Sequence, residues 1–398
     1  MDLNKIAELD SEYYMNTFGK RLDVAFDRGE GINLYSTDNR VYKDFLGGIA
    51  VNALGHAHPV LTEALHKQVD KLLHTSSLYY IENQARLAKE LVERTCADRA
   101  FICSTGAEAN EGAIKLAKIY FYKKGMEKYE VISLDHSFHG RTLATVAATG
   151  QEKYQKPYRP LMPGFKQVPA NDFDALQQAV TDKTCAILLE PVQGESGVHP
   201  LDNEYLMKVR KLCDEKDIIL IFDEVQTGMG RCGSLFMYMQ TGVEPDIFTC
   251  AKALGGGIPI GAVCAKDKVA SAFEPGDHGT TFGGNPFSCA AALAVFEAFD
   301  KEKLVENAKV MGEYFKSSLE KVTSDYPDII KEVRGKGLLI GIELDKDAAP
   351  TVFKKLFEAG YLTSLCGGVT VRLAPALIIK EEDINDFVDA LCKILADM

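Results

Sequence analysis

Short apolar runs alternate with helix-like stretches through the middle of the chain. Between residue 56 and about residue 275, the runs "RAFIC", "EVISL", "CAILLE", "IILIFDE", "DIFTC" and "GAVCA" are separated by segments such as "HPVLTEALHKQVDKLL", whose apolar residues recur at helical spacing. That alternation predicts crossover units around a largely parallel sheet covered on both faces. Ligands in such sheets sit at the carboxyl ends of the strands. Residues 1–55 read as a helix followed by short strands in "NLYSTDNRVYKDF", with Asp38 and Asn39 supplying the turn. Toward the C-terminus, "CAAALAVFEAFDKEKLVENAKVMGEYFKSSLEKV" reads as helix and leads to "GLLIGIELD", another helix, "GVTVRLAP" and a closing helix. The expected architecture is α/β in three parts. Residues 1–55 form a segment that packs with the small domain, 56–277 a large domain with a mainly parallel sheet, and 278–398 a smaller α+β domain.

Composition sets the limits of function more than of fold. With 46% hydrophobic and 26% charged residues over 398 positions, the chain can bury two cores without disulfides or metal. A formal net charge of −12 gives no global attraction to nucleic acid or an anionic membrane, so neither partner is expected and an anionic substrate needs local arginines. The ten cysteines include no C-x-x-C pair and no ordered His/Cys spacing, which suits reduced thiols and no metal site. The opening "MDLNKIAELDSEYYM" is acidic and lacks an apolar targeting core, and no apolar run is long enough to cross a bilayer, so a cytoplasmic location is expected.

Two strand ends carry charges of opposite sign. "IILIFDEV" places Ile218 to Phe222 directly before Asp223 and Glu224, and "PDIFTCAKALGGG" runs into Lys252 and then Gly255, Gly256 and Gly257. If the strands are parallel neighbours, Asp223 and Lys252 leave the sheet at one edge, either as a structural ion pair or as the anchors of an aldehyde cofactor. The alternative for either carboxylate is a cap on the next element. Gly228, Gly230 and Gly233 fit G-x-G-x-x-G, but "DEVQT" separates them from the strand, which argues against a dinucleotide turn. An earlier turn suits a phosphate better. In "FICSTGAEANEGAIKLAK" a strand ends at Cys103 and a helix starts at once, with Thr105 and Glu108 spaced as a capping box and Gly106 at the turn. "DHSFHGRTLATV" offers Phe138 as a stacking ring and Arg141 as a carboxylate clamp, while His136 and His139 lack any metal-ligand spacing. "GHAHP" at residues 55–59 reads as a turn rather than a ligand pair.

Jointly, "STGAEANEGAIKLAK", "SFHGRTLAT", "LEPVQGESGV", "LIFDEVQTGMGRCG", "CAKALGGGIPIGA", "HGTTFGGNP" and "VRLAPALII" occur in the order and spacing of the class III pyridoxal-phosphate aminotransferases, and the chain resembles that family over nearly its whole length. The resemblance implies a fold-type I enzyme, pyridoxal 5'-phosphate as cofactor, and a homodimer with its active site at the subunit interface. It implies that Lys252 holds the cofactor as a Schiff base and then shuttles a proton, and that Asp223 keeps the pyridine nitrogen protonated. Phe138 would stack on the ring, Gln226 would approach its phenolic oxygen, and the N–H groups of Gly106 and Ala107, beside Thr105, would hold the phosphate. Thr281 of the neighbouring subunit would complete that cup, with Thr280 touching the substrate at the same seam. By the same resemblance Arg141 takes the donor's α-carboxylate and then the far carboxylate of the oxo acid, whose α-carboxylate goes to Arg372. Glu195 pairs with Arg372 until that second carboxylate arrives.

The branch that "GIAVNALGHAHP", "FHGRT" and "HGTTFGGNP" resemble moves the δ-amino group of N2-acetyl-L-ornithine to 2-oxoglutarate. Rival readings are another ω-aminotransferase acting on ornithine, succinylornithine, 4-aminobutyrate or succinyl-diaminopimelate, an aminomutase, and a catalytically silent cofactor binder. The chain departs from the branch at two places. Ser104-Thr105 stands where Asn-Ser is usual, leaving the backbone donors intact, and "GESG" replaces the commoner "GEGG" with the glutamate in place.

Overall fold

The computed structural model describes all 398 residues. Helix α1 (Leu3–Tyr13), capped by the Asp2 carboxylate, precedes three antiparallel strands, β1 (Phe26–Glu30), β2 (Asn33–Ser36) and β3 (Val41–Asp44). Asn39 takes the left-handed φ of 67° in the turn between β2 and β3. Helices α2 (Pro59–Val69) and α3 (Glu82–Glu93) lead into β4 (Arg99–Cys103), α4 (Gly106–Lys123), β5 (Glu130–Leu134), β6 (Phe165–Val168) and β7 (Thr184–Leu189). Then come α5 (Asn203–Lys216), β8 (Ile219–Asp223), β9 (Ile247–Cys250) and β10 (Gly261–Ala265).

These strands make a seven-stranded sheet in the order β4-β10-β9-β8-β7-β5-β6. It is parallel from β9 across to β6, while β10 runs antiparallel to both β9 and β4. Six of the strands are the apolar runs of the sequence. β6 escaped that pattern because "FKQV" carries two polar residues at the sheet edge. Side chains alternate between two covered faces, as a strand buried on both sides requires. Ile219 and Ile221 join a 19-residue apolar cluster that includes Ala109, Ala113 and Ala117 of α4, and Leu220 and Phe222 join a 69-residue cluster on the other face. Small residues on α4 let the helix lie close to the sheet; a Cβ on Gly112 would come within 2.9 Å of Val263.

The C-terminal part comprises α6 (Pro286–Glu302), α7 (Leu304–Asp325), β11 (Ile330–Lys336), β12 (Leu339–Leu344) and α8 (Ala349–Glu358). It ends with β13 (Tyr361–Leu362), β14 (Ser364–Cys366), β15 (Thr370–Leu373) and α9 (Glu381–Ala396). The helical stretch from Cys289 onward is two helices, not one, broken where Lys303 adopts φ 53°. Strands β11-β12-β15-β14 form an antiparallel sheet, and β13 pairs parallel with β3, joining the N-terminal strands to this part. The 69-residue cluster runs without interruption from Phe222 and Phe248 to Phe315, Ile342 and Phe387. No helix is long and apolar enough to cross a membrane.

Candidate active site

Strands β8 and β9 are parallel neighbours with Asp223 opposite Thr249, so Lys252, two residues past the end of β9, leaves the sheet at the same edge as Asp223. Between them opens a cavity of about 500 Å³. Thr105, Gly106, Ala107, Phe138, Arg141, Asp223, Gln226 and Lys252 are among the residues that line it.

The two carboxylates at the exit of β8 do different work. Asp223 is held by three donors: the Val225 N–H reaches Oδ1 at 3.0 Å, Asn110 Nδ2 reaches Oδ2 at 2.7 Å, and His139 Nδ1 lies 2.8 Å from Oδ2. Asn110 is itself fixed, donating to the His139 carbonyl at 2.8 Å and accepting from Thr249 Oγ1 at 2.8 Å. Glu224 is turned away into the core, where it accepts from Thr227 Oγ1 and from the backbone N–H groups of Met237 and Tyr238. Burial pushes its pKa up to about 7 against those hydrogen bonds. Glu224 is therefore the cap, and Asp223 is the acid that faces the cavity.

Lys252 stands in a left-handed conformation, φ 44°, where the chain turns out of β9 into the glycine cluster. Exclusion of water lowers its pKa to about 8, with the charge of Arg372 adding and those of Glu195, Asp223 and Glu190 opposing. Glu190, just past β7, presents its carboxyl to the cavity and accepts the Phe138 N–H at 2.9 Å. Burial, reinforced by the Asp223 charge, raises its pKa well above the carboxylate range.

Arg372 of β15 is buried beside this group. Its Nη1 donates to Glu195 Oε1 at 2.7 Å, to Gln226 Oε1 at 3.1 Å and to the Gly194 carbonyl at 3.2 Å. Gln226 Nε2 in turn donates to Glu195 at 3.3 Å. Burial works against the Glu195 carboxylate, but Arg372 and then Lys252 outweigh it and keep its pKa below the ordinary value.

Thr105 caps α4 by accepting from the Glu108 N–H at 3.1 Å. The returning bond of the capping box differs from expectation. The Glu108 carboxylate takes the Ser104 N–H at 2.7 Å, one residue earlier, because Thr105 is extended and turns its own N–H away. The N–H groups of Gly106 and Ala107 have no acceptor within the chain, as the start of a helix leaves them. Arg141 packs its guanidinium 4.0 Å from the Tyr154 ring centre and makes no ion pair. Thr280 and Thr281 do not line this cavity. Thr280 lines a separate one of about 360 Å³ with Gln84 and Gly283, and Thr281 is exposed.

The model of the aminotransferase class-III family matches residues 14–395. The chain is a class-III aminotransferase. It is 51% identical over 394 residues, 98% of each chain, to acetylornithine aminotransferase of Methanocaldococcus jannaschii. A crystal structure of acetylornithine aminotransferase from Elizabethkingia anophelis covers all of both chains at 34% identity with a TM-score of 0.89. The ornithine aminotransferase of Toxoplasma gondii, solved with partial occupancy of PLP at its active site, matches at 32% identity with a TM-score of 0.95, covering 100% of this chain and 95% of that one.

The cofactor of the enzyme is pyridoxal 5'-phosphate, and the cavity suits it. Two unpartnered N–H donors at the start of an 18-residue helix would suit a phosphate, the Lys252 amine an aldehyde, and an aspartate fixed by three donors a ring nitrogen. A Cβ on Gly106 would come within 2.8 Å of Val225, so the turn must stay a glycine for the two to meet.

Sequence reading missed Asn110 and Glu190 and gave His139 no role. Asn110 lies on the buried face of α4 among Ala109, Ala113 and Ala117, a position where a polar residue calls for a partner. His139 lies beside the two residues of its motif that were singled out. Glu190 follows a continuous apolar run in the same way as Asp223, and that signal was present but not used.

Proposed function

We propose that this aminotransferase moves the δ-amino group of N2-acetyl-L-ornithine to 2-oxoglutarate, giving N-acetyl-L-glutamate 5-semialdehyde and L-glutamate in arginine biosynthesis. The near-full-length likeness to an acetylornithine aminotransferase supports the donor. The observation that carries the reading is the Arg372–Glu195 pair, 2.7 Å apart, beside an amine whose pKa is lowered to about 8. The two substrates differ by one carboxylate, and an arginine with a releasable partner can serve both without leaving a buried charge unpaired.

Bound pyridoxal phosphate supplies the electron sink that makes a substrate C–H bond acidic. Lys252 Nζ would hold the cofactor's aldehyde carbon as a neutral amine and, once the substrate amine displaces it, would carry the proton from the substrate's amine-bearing carbon to that cofactor carbon. Asp223 would hold the positive charge at the ring nitrogen, with Asn110 and His139 fixing the carboxylate. Phe138 would stack on the ring, Gln226 would approach the phenolic oxygen, and Thr105, Gly106 and Ala107 would hold the phosphate. Arg141 takes the donor's α-carboxylate, and Arg372 is reserved by Glu195 for the oxo acid's. The working unit in this reading is a homodimer, with Thr280 and Thr281 from one subunit completing the other's site. Residues 56–277 are then the cofactor-binding domain and carry Glu195, while 278–398, with which the N-terminal segment packs, carry its partner Arg372.

The test is a half-reaction screen. Each amine is added alone to cofactor-loaded protein while the cofactor's visible absorbance is followed. N2-acetylornithine should convert it fastest, ahead of ornithine, succinylornithine and 4-aminobutyrate. Rapid conversion by 4-aminobutyrate with none by N2-acetylornithine would overturn the donor assignment, and no response to any amine would leave a silent binder.

A further inference from the structure

Arg372 is one of two buried arginines in a single row. Arg334 on β11 pairs in register with Gly341 on β12, and Gly341 pairs with Arg372 on β15. Residues directly opposite in antiparallel strands project to the same face. Two guanidinium groups therefore flank a glycine on one side of the sheet, and both reach the loop 194–198 that carries Glu195.

They hold opposite ends of it. Arg372 binds the leading end, through the Gly194 carbonyl and the Glu195 carboxylate. Arg334 binds the trailing end, its Nε donating to the Gly197 carbonyl at 2.9 Å and the Val198 carbonyl at 3.1 Å, and its Nη2 to Thr370 Oγ1 at 3.1 Å. Thr370 is two residues from Arg372 on the same strand, so Arg334 fastens the loop to the strand of its partner arginine. The fit is close. Gly197 has φ 133°, and a Cβ there would meet Thr370 Oγ1 at 2.9 Å and Arg334 Nη2 at 3.1 Å; one on Gly341 would meet the Gly197 carbonyl at 2.9 Å.

The two arginines differ in what neutralises them. Arg334 is matched by Glu332 at 2.8 Å and by Glu343, both on its own sheet. Arg372 has Glu195 alone, on the loop. An incoming carboxylate therefore finds one arginine whose partner can leave and one whose partners cannot. Behind the loop, Ser196, His199 and Thr370 line a polar cavity of about 840 Å³, room into which the leading end can yield while the trailing end stays fixed.

We propose that Arg334 is a positioning residue that sets the register of Glu195 against Arg372 and thereby the balance between the monocarboxylate donor and the dicarboxylate acceptor. The proposal rests on the gate reading of Glu195 given above. The test uses cofactor-loaded full-length protein and follows the donor and acceptor half-reactions separately in Arg334→Gln, Glu195→Gln and the double variant. Arg334→Gln should shift the ratio of donor to acceptor kcat/KM toward the acceptor by roughly three- to tenfold, the scale of a coupled contact. The acceptor kcat should be kept, and glutarate, an unreactive dicarboxylate, should bind more tightly. Glu195→Gln should shift the ratio the same way, and adding Arg334→Gln to it should change it less than about twofold. If Arg334→Gln does not fold, Thr370→Val, which removes one of its anchors, should give a smaller shift in the same direction. An equal loss in both half-reactions, or a full Arg334 effect in the absence of Glu195, would overturn the positioning role. An unchanged ratio in Glu195→Gln would remove the gate itself, and with it this inference.

Discussion

Lys252 combines two costs that a structural lysine would avoid. Its left-handed φ of 44° costs a side-chain-bearing residue about 1–2 kcal/mol, and its ammonium is pushed toward the neutral amine. In the proposed mechanism both serve a residue that must be a nucleophile near neutral pH and must leave the sheet beside Asp223. The lowered pKa gives a signed expectation. Capture of added pyridoxal phosphate by the cofactor-free protein requires the unprotonated amine, so its rate should climb between pH 7 and 9 with an inflection near 8, the value to which Lys252 is lowered. Stopped-flow absorbance measures this, and an inflection near the ordinary lysine value of about 10.4 would contradict it. Lys252→Ala should show no covalent capture at any pH. Asp223 and Lys252 were legible because each ends an apolar run with a charge. The division of labour between Asp223 and Glu224 was not, since it depends on which face of the strand meets Asn110 and which meets the Met237 and Tyr238 N–H groups.

The elements follow the apolar pattern where burial alone defines them and depart where backbone handedness intervenes. Apolar residues continue at helical spacing from α6 into α7, so periodicity reads one helix. The break at Lys303 is a left-handed residue whose N–H closes α6 on the Phe299 carbonyl while Leu304 begins α7. Nothing in the spacing of the apolar residues records a change of φ. Lys303 is exposed, so replacing it with glycine removes the strain without losing packing. Lys303→Gly should stabilise the protein by about 0.5–1 kcal/mol once the extra freedom of glycine in the unfolded chain is set against the relieved strain. The denaturation midpoint of the purified variant reads this directly. Gly228, Gly230 and Gly233 belong to the same scale. Their spacing matches a nucleotide turn, but a Cβ at Gly228 would meet Phe236 at 2.7 Å and one at Gly230 would meet Leu377 at 2.7 Å, so packing accounts for these glycines.

As a whole, the chain exposes more surface than its size requires. It presents 18,535 Å², whereas a compact monomer of 43.7 kDa is expected to present about 15,400 Å². The excess is of the order that an obligate homodimer buries. One stretch of exposed apolar residues is Leu72, Leu73, Leu78, Tyr79 and Tyr80, and Leu73 meets the helix after Phe282 through the Phe287 N–H. Phe282 is itself exposed, packs against His74 and adjoins Thr280 and Thr281. These features support the proposed dimer and its shared site. Phe282→Glu should weaken association by at least about tenfold and make activity depend on protein concentration. Sedimentation of the variant should move from twice the chain mass toward 43.7 kDa on dilution. A variant that stays dimeric with unchanged activity would remove this face from the interface.

The sequence by itself determined the α/β class, six of the seven central strands, and the residue types that carry the chemistry. It could do so because buried strands need unbroken apolar runs, and a charge at the end of such a run must be satisfied at the sheet edge. Only the tertiary structure decided which groups meet. Asn110 and His139 reach Asp223 from 113 and 84 residues away, Arg372 reaches Glu195 across 177, and Arg334 reaches the same loop across 137. Contacts of that separation are set by strand order and register, which local patterning leaves free.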